Sequence, residues 1–97
     1  MSYRTLEGEL KGKRGVRVVG IESHIEVWHY STCIFELSDE GVKLSSGGWF
    51  SATTRKHINT CLYHTDSFLR LYQKDFTWYL STPKGEIVFF DGITYEF

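Results

Sequence analysis

One segment of this chain repeats at the helical period. Ile58, Cys61, Leu62 and Thr65 stand at i, i+3, i+4 and i+7, a spacing that puts all four on one face of a helix. Ser51 or Thr53 suits the N-cap, and Trp49 or Phe50 suits an apolar staple onto Ile58 or its neighbours. The spacing predicts a helix over about residues 52–64. So short a helix is marginal alone and has to pack on a sheet.

The remaining periodicity is that of strands. Val16, Val18 and Val19, then Ile21, Ile25 and Val27, mark a β-rich stretch. Cys33–Leu37 reads as the next strand, Ser38-Asp39-Glu40-Gly41 as a turn, and Val42–Leu44 as its hairpin partner. Beyond the helix, Phe68–Tyr72 and Phe76–Leu80 flank a turn at Gln73-Lys74-Asp75. Glu86–Phe90 and Ile93–Phe97 flank Asp91-Gly92, a strong two-residue hairpin signal. The sum is a meander, a helix and a second meander. We expect a single α+β domain over residues 1–97, mostly antiparallel sheet, with the helix covering one sheet face. Residues 1–15, rich in glycine and basic side chains, read as a mobile arm or a short hairpin.

Composition limits function more than it names it. The 97 residues suit one domain, and aromatics make up 16% of them, enough rings to fill a core. Phe35, Phe68, Phe89 and Trp78 fall at strand positions that suit that role. Two cysteines, Cys33 and Cys61, match neither a zinc knuckle nor a disulfide framework. No secretory leader and no membrane-length apolar run is visible, which points to a cytoplasmic protein with no membrane partner.

Net charge is −1, but the signs are segregated. Residues 1–17 carry five basic and two acidic groups, and residues 43–84 carry six and two. Residues 18–42 carry five acidic groups and no basic one. Two basic segments therefore stand ready to converge if the fold brings them together.

The helix start is the most informative stretch. The positive end of a helix dipole normally attracts acidic residues, yet residues 41–65 contain no carboxylate and the first turn holds Arg55, Lys56 and His57. Gly48, the hydroxyls of Ser51, Thr53 and Thr54, and the cations Arg55 and Lys56 form a set suited to phosphate oxygens. Trp49, Phe50 and Tyr72 supply rings for base stacking. Arg70, Tyr72, Lys74, Phe76 and Trp78 interleave cations with aromatics at period two.

Other chemistries fare worse. His57, Cys61 and His64 share one arc of the helix, but Cys61 belongs to its apolar stripe, so no metal is assigned. No nucleophile elbow or metalloprotease motif is present, so neither catalytic residue nor cofactor is expected and the chain reads as non-enzymatic.

The run Leu44-Ser45-Ser46-Gly47-Gly48-Trp49-Phe50-Ser51-Ala52-Thr53-Thr54-Arg55-Lys56-His57-Ile58-Asn59 resembles a pattern in a family of small uncharacterised bacteriophage proteins. There, a strand ends in Gly-Gly-Trp and a Thr-Thr-basic segment leads into a helix bearing Ile-Asn. A Gln-containing turn, a Trp and a closing Asp-Gly turn follow, as Gln73, Trp78 and Asp91-Gly92 do here. The resemblance covers about residues 44–97, and His57 departs from it where Arg is more usual. It implies a phage origin and a host-cytoplasm setting, and it carries no activity.

Two functions from different classes follow as expectations. The first is a non-catalytic phage accessory protein binding a phosphate-bearing ligand, either single-stranded nucleic acid or a nucleotide signal, to counter host defence. The alternative is a protein–protein inhibitor of a host enzyme or defence complex, of anti-CRISPR or anti-restriction type, with Glu22, Glu26, Glu36, Asp39 and Glu40 imitating nucleic acid. The apolar closing strand also suits a homodimer.

Overall fold

A computed structural model of the protein describes residues 3–21, 23–48, 50–65 and 68–96. In chain order the elements are α1 (Tyr3–Leu10), β1 (Val16–Ile21), β2 (His24–His29), β3 (Thr32–Leu37) and β4 (Gly41–Leu44). Then come α2 (Ala52–Tyr63), β5 (Arg70–Lys74), β6 (Thr77–Thr82), β7 (Gly85–Val88) and β8 (Ile93–Glu96). Every strand pairing is antiparallel. The α+β class read from the sequence is the class observed.

The first sheet has the order β1-β2-β3-β4-β8 and the second the order β5-β6-β7. Register explains why the first sheet has a dry face. Val18, Val27, Phe35, Leu44 and Ile93 meet in one row across all five strands. Ile25, Leu37, Val42 and Tyr95 form the next row on the same face. The pleat then sends Glu26, Glu36, Lys43 and Thr94 to the opposite, wetter face. In β3 a bulge breaks the alternation. Trp28 pairs with Cys33 and Val27 with Phe35, so Ile34 is the extra residue, and both Ile34 and Phe35 are fully buried.

In the second sheet Leu71, Trp78 and Leu80 face inward and are buried. Both sheets, α1 and α2 share one core: Leu6, Leu10, Val27, Phe35, Ile58, Leu62, Leu71 and Leu80 belong to a single cluster. In α2 three residues of the predicted stripe, Ile58, Cys61 and Leu62, are buried together with Thr54 and His57, while Thr65 lies past the helix end and is half-buried.

Three expectations change. Residues 3–10 form a helix, where the sequence suggested an arm or hairpin. Leu6 and Leu10 are its only described buried residues, and Gly8 lowers its intrinsic propensity, so packing rather than local preference makes it a helix. It ends before Gly12, whose φ of 82° closes the turn. Asp91-Gly92 is not a hairpin turn, because β7 and β8 lie in different sheets. It is the corner that carries the chain from one sheet to the other. Phe68 is not core: it is 87% exposed at φ 58°, and Leu69 takes the buried position beside it.

Candidate functional site

The first turn of α2 is where the sequence placed a phosphate site, and the structure sorts its members into different places. Ser51 is the N-cap: its Oγ accepts from the Thr54 N–H at 3.1 Å and donates to Thr54 Oγ1 at 3.0 Å. Thr54 is buried, and its Oγ1 lies 3.4 Å from His29 Nδ1. Gly48 is already occupied by an anion, and that anion belongs to the protein. The Asp91 carboxylate accepts from Ser46 N and Ser46 Oγ, both at 2.7 Å, and from Gly48 N at 2.9 Å. Thr53 and Lys56 stay exposed. Arg55 is half-buried, donating to Gln73 Oε1 at 2.8 Å with its guanidinium 5.5 Å from the Trp78 ring centroid.

The same helical turn therefore feeds two depressions. Ser51 and Thr54 face a pocket of about 460 Å³ lined also by His29, Tyr30, Thr32 and Ser46. The bulge in β3 sits beside it, and Tyr30 at its rim holds a left-handed φ of 57°. Gly15, itself at a φ of 74° that favours glycine, lies directly under the Tyr30 ring. Behind the pocket, the His57 ring stands edge-on to His29 with centroids 5.1 Å apart. Burial lowers the His57 pKa, and the charges of His29, Lys13 and Lys56 lower it further. Lys13 and Lys56 come from the two basic segments, and both charges act on this one ring.

Arg55 and Lys56 face the second depression, a groove of about 670 Å³ along α2 that also takes in Glu9, Asn59, Tyr63, His64 and Arg70. His64 Nε2 lies 3.8 Å from Glu9 Oε1, tying α2 to α1 along this groove. Asn59 fixes how α2 meets the second sheet, since its amide bonds both backbone groups of Leu71 on the open edge of β5.

Arg70 links the groove to a flat surface. Along β5, Arg70, Tyr72 and Lys74 point to the outer face, opposite the buried Leu71. Tyr72 pairs with Tyr79 on β6, and their rings stack with centroids 5.5 Å apart and planes 22° apart. A hydrogen bond with Glu86 pushes the Tyr72 hydroxyl pKa up to about 12. No carboxylate among the described residues lies within ion-pairing distance of Lys56, Arg70 or Lys74.

Of the expected stacking rings among the described residues, Tyr72 alone sits on this surface. Phe50 instead packs edge-on against Trp78 and Phe89, at centroid distances of 5.1 and 6.2 Å. Trp49 lies outside the described residues. Trp78 and Phe76, both in the alternating cationic and aromatic run, part company: Trp78 is buried, and Phe76 is 97% exposed at a hairpin tip. The sequence signal that located Arg70 was that same alternation. Nothing local marked Asp91, which is 43 residues from Gly48.

No helix among the described residues is long and apolar enough to cross a membrane. No curated protein and no solved structure matches the chain. A family model does match, over residues 11–96, a span that takes in β1 to β8 and α2 of the described residues. The chain belongs to the Kyanoviridae Gp96 protein family, a family of phage proteins.

Proposed function

We propose that the protein is a non-catalytic binder of a phosphate-bearing ligand, and that single-stranded nucleic acid is the class its surface suits best. One observation carries the reading: Arg70 lines the α2 groove and also flanks the Tyr72–Tyr79 stack. A backbone lying along Arg55, Lys56 and Arg70 would then deliver its bases to two rings already parallel. Groove cations that track phosphates beside aromatic faces are the usual means of holding single strands without reading sequence. The residues of this proposal are Arg55, Lys56, Arg70, Tyr72, Lys74 and Tyr79. Ser51, Thr54 and Gly48 leave the phosphate set, being engaged in the cap, the His29 contact and the Asp91 turn. The phage family supports a setting in the infected host cell, where countering a host defence is the role this activity would serve.

Fluorescence anisotropy with short single-stranded DNA and RNA tests it. Affinity is expected to fall with salt at a log-log slope of about −0.7 per phosphate contacted. Lys56→Glu with Arg70→Glu abolishes binding with little change in thermal midpoint, because both side chains are exposed. Full affinity in that double variant overturns the proposal.

A second reading, the protein–protein inhibitor of a host complex, draws on one different observation. Phe68 and Phe76 hold positive φ and are 87% and 97% exposed, and strained, solvent-facing aromatics are a feature of recognition surfaces. A stable complex with a host protein that survives the Lys56/Arg70 reversal and fails with Phe68→Ser or Phe76→Ser would select it.

A further inference from the structure

The outer face of the first sheet, remote in the topology from the α2 groove, carries a cluster whose geometry has a second use. Glu26 on β2 and Glu36 on β3 are direct cross-strand partners. Two like charges in that relation repel each other and destabilise a sheet. His24, two residues before Glu26 on the same face, sets its Nε2 3.0 Å from Glu26 Oε2 and 3.2 Å from Glu36 Oε1. One nitrogen carries at most one proton, and it faces two carboxylates. The three side chains are 25–35% exposed, so water reaches them from one side.

We infer that His24, Glu26 and Glu36 form a binding site for a divalent first-row transition cation of the zinc class. Ligand atoms held on metal bonds of about 2.1 Å are about 3.0 Å apart at a right angle and about 3.4 Å apart at the tetrahedral angle. The two separations from His24 Nε2 fall in that interval, and all three candidate ligand atoms lie within 4.8 Å of one another. A dication bridges both carboxylates at once, whereas the flanking cations, Lys43 opposite Glu36 and Arg17 over the Trp28 ring, make no ion pair with either among the described residues. The mixed nitrogen and oxygen set selects zinc, cobalt or nickel over magnesium or calcium, which prefer oxygen alone. The surroundings already orient a ligand: Trp28 Nε1 donates at 3.1 Å to Oε1 of Glu26, the oxygen turned away from His24. Such outer bonds fix the carboxylate for metal and are a regular part of metal centres. The solvent-facing side leaves positions for water or for an oxygen ligand of a partner.

The test uses the untagged full chain and ZnCl₂. Calorimetry is expected to give one equivalent bound per chain in the micromolar range, with a thermal midpoint raised by about 10 °C at a hundredfold excess over Kd. Glu36→Gln, which keeps the shape of the side chain, weakens binding at least about tenfold, and His24→Ala does so as well, each with a native circular dichroism spectrum. In ¹H–¹⁵N spectra the Trp28 indole N–H shifts on zinc addition. Zinc binding no tighter than millimolar overturns the site. So does unchanged affinity in a folded Glu36→Gln variant, or perturbation confined to His29, His57 and His64. Equal competition by Mg²⁺ overturns the assigned metal class.

Discussion

Asn59 stands in for a missing strand at the open edge of β5. Its Nδ2 donates to the Leu71 carbonyl and its Oδ1 accepts from the Leu71 N–H, each at 2.8 Å. An unpaired edge is an invitation to pair with another chain, and here one amide closes it at Leu71. Asn59→Ala removes both bonds and leaves two part-buried backbone groups unsatisfied, at a cost of about 1–3 kcal/mol. The urea midpoint should fall accordingly with little change in slope. Asn59→Asp keeps the acceptor but sets a second oxygen against the Leu71 carbonyl, so it gains little back. Thr60→Ala, which loses only an exposed hydroxyl bond to Lys56 O, serves as the near-neutral control.

Asp91 joins the inter-sheet corner to the Gly47-Gly48 turn through three hydrogen bonds to one carboxylate. Bonds to a charged acceptor are worth more than neutral ones, and their loss is not additive. Asp91→Ala is expected to destabilise by about 2–3 kcal/mol, read as a drop in thermal midpoint. Asp91→Asn should recover part of this, since an amide oxygen still accepts. Because the carboxylate fills the turn, the fold itself already satisfies the N–H groups that a phosphate would seek at Gly48. Free phosphate should accordingly leave the Gly48 amide resonance of the native protein unmoved.

The sequence told most where local pattern and tertiary need agree. The α2 stripe, the Ser51 cap and the β3–β4 hairpin were all legible, because period, turn chemistry and burial point the same way there. The helix over residues 3–10 was not, since two leucines around Gly8 make a weak local signal that only the shared core rescues. Asp91-Gly92 misled for the opposite reason: the dipeptide fits a tight hairpin, and which strand follows it in space is a long-range choice. For the candidate site, Arg55, Lys56 and Tyr72 were found by residue type and spacing. What could not be read was their facing: Ser51 and Thr54 turn toward His29, Arg55 reaches Gln73 and the Trp78 ring, and Lys56 lines the groove with Arg70. Asn59, Asp91 and the Glu26–Glu36 pairing depend on contacts across the fold, which leave no periodic trace.

His57 gives the fold an acid-sensitive point near neutrality. Its pKa is lowered, first by burial and then by His29, Lys13 and Lys56. Above the ordinary value of 6.5 the ring is neutral in folded and unfolded chains alike, and nothing is lost. As pH falls through 6.5 the unfolded chain takes a proton that the folded chain refuses, so stability declines until the folded pKa is reached. Glu26 acts in a lower window, since hydrogen bonds from His24 and Trp28 lower its pKa from 4.5 and that stabilisation disappears as pH falls through the acid range. Thermal midpoints measured between about pH 7 and pH 5 should therefore slope downward on acidification. His57→Phe, which keeps a ring against His29, should flatten that slope without removing the decline at lower pH. An unchanged slope in that variant would assign the neutral-range sensitivity to another histidine.

The β5–β6 hairpin turns on the residue least suited to it. Asp75 and Phe76 have φ of 51° and 65°, the double left-handed geometry that two-residue hairpins fill with Asn-Gly or Asp-Gly. Asp75 tolerates it, but Phe76 has a Cβ that this conformation crowds, at a cost of about 1–2 kcal/mol. Its ring recovers nothing from the fold, being 97% exposed. Phe76→Gly converts the turn to Asp-Gly and removes the strain. Part of that gain is returned because glycine widens the unfolded ensemble. The net expectation is a rise of about 0.5–1 kcal/mol, or roughly 2–8 °C in thermal midpoint for a domain of this length. Phe76→Ala, which keeps the Cβ and so the strain, should leave the midpoint nearly unchanged, and that contrast separates backbone relief from loss of an apolar surface. If Phe76→Gly stabilises the chain while abolishing capture of a host protein, the strained ring is kept for contact and the inhibitor reading gains. If it stabilises the chain and leaves single-strand binding intact, the turn lies outside the Arg70–Tyr72 surface, as the groove geometry requires.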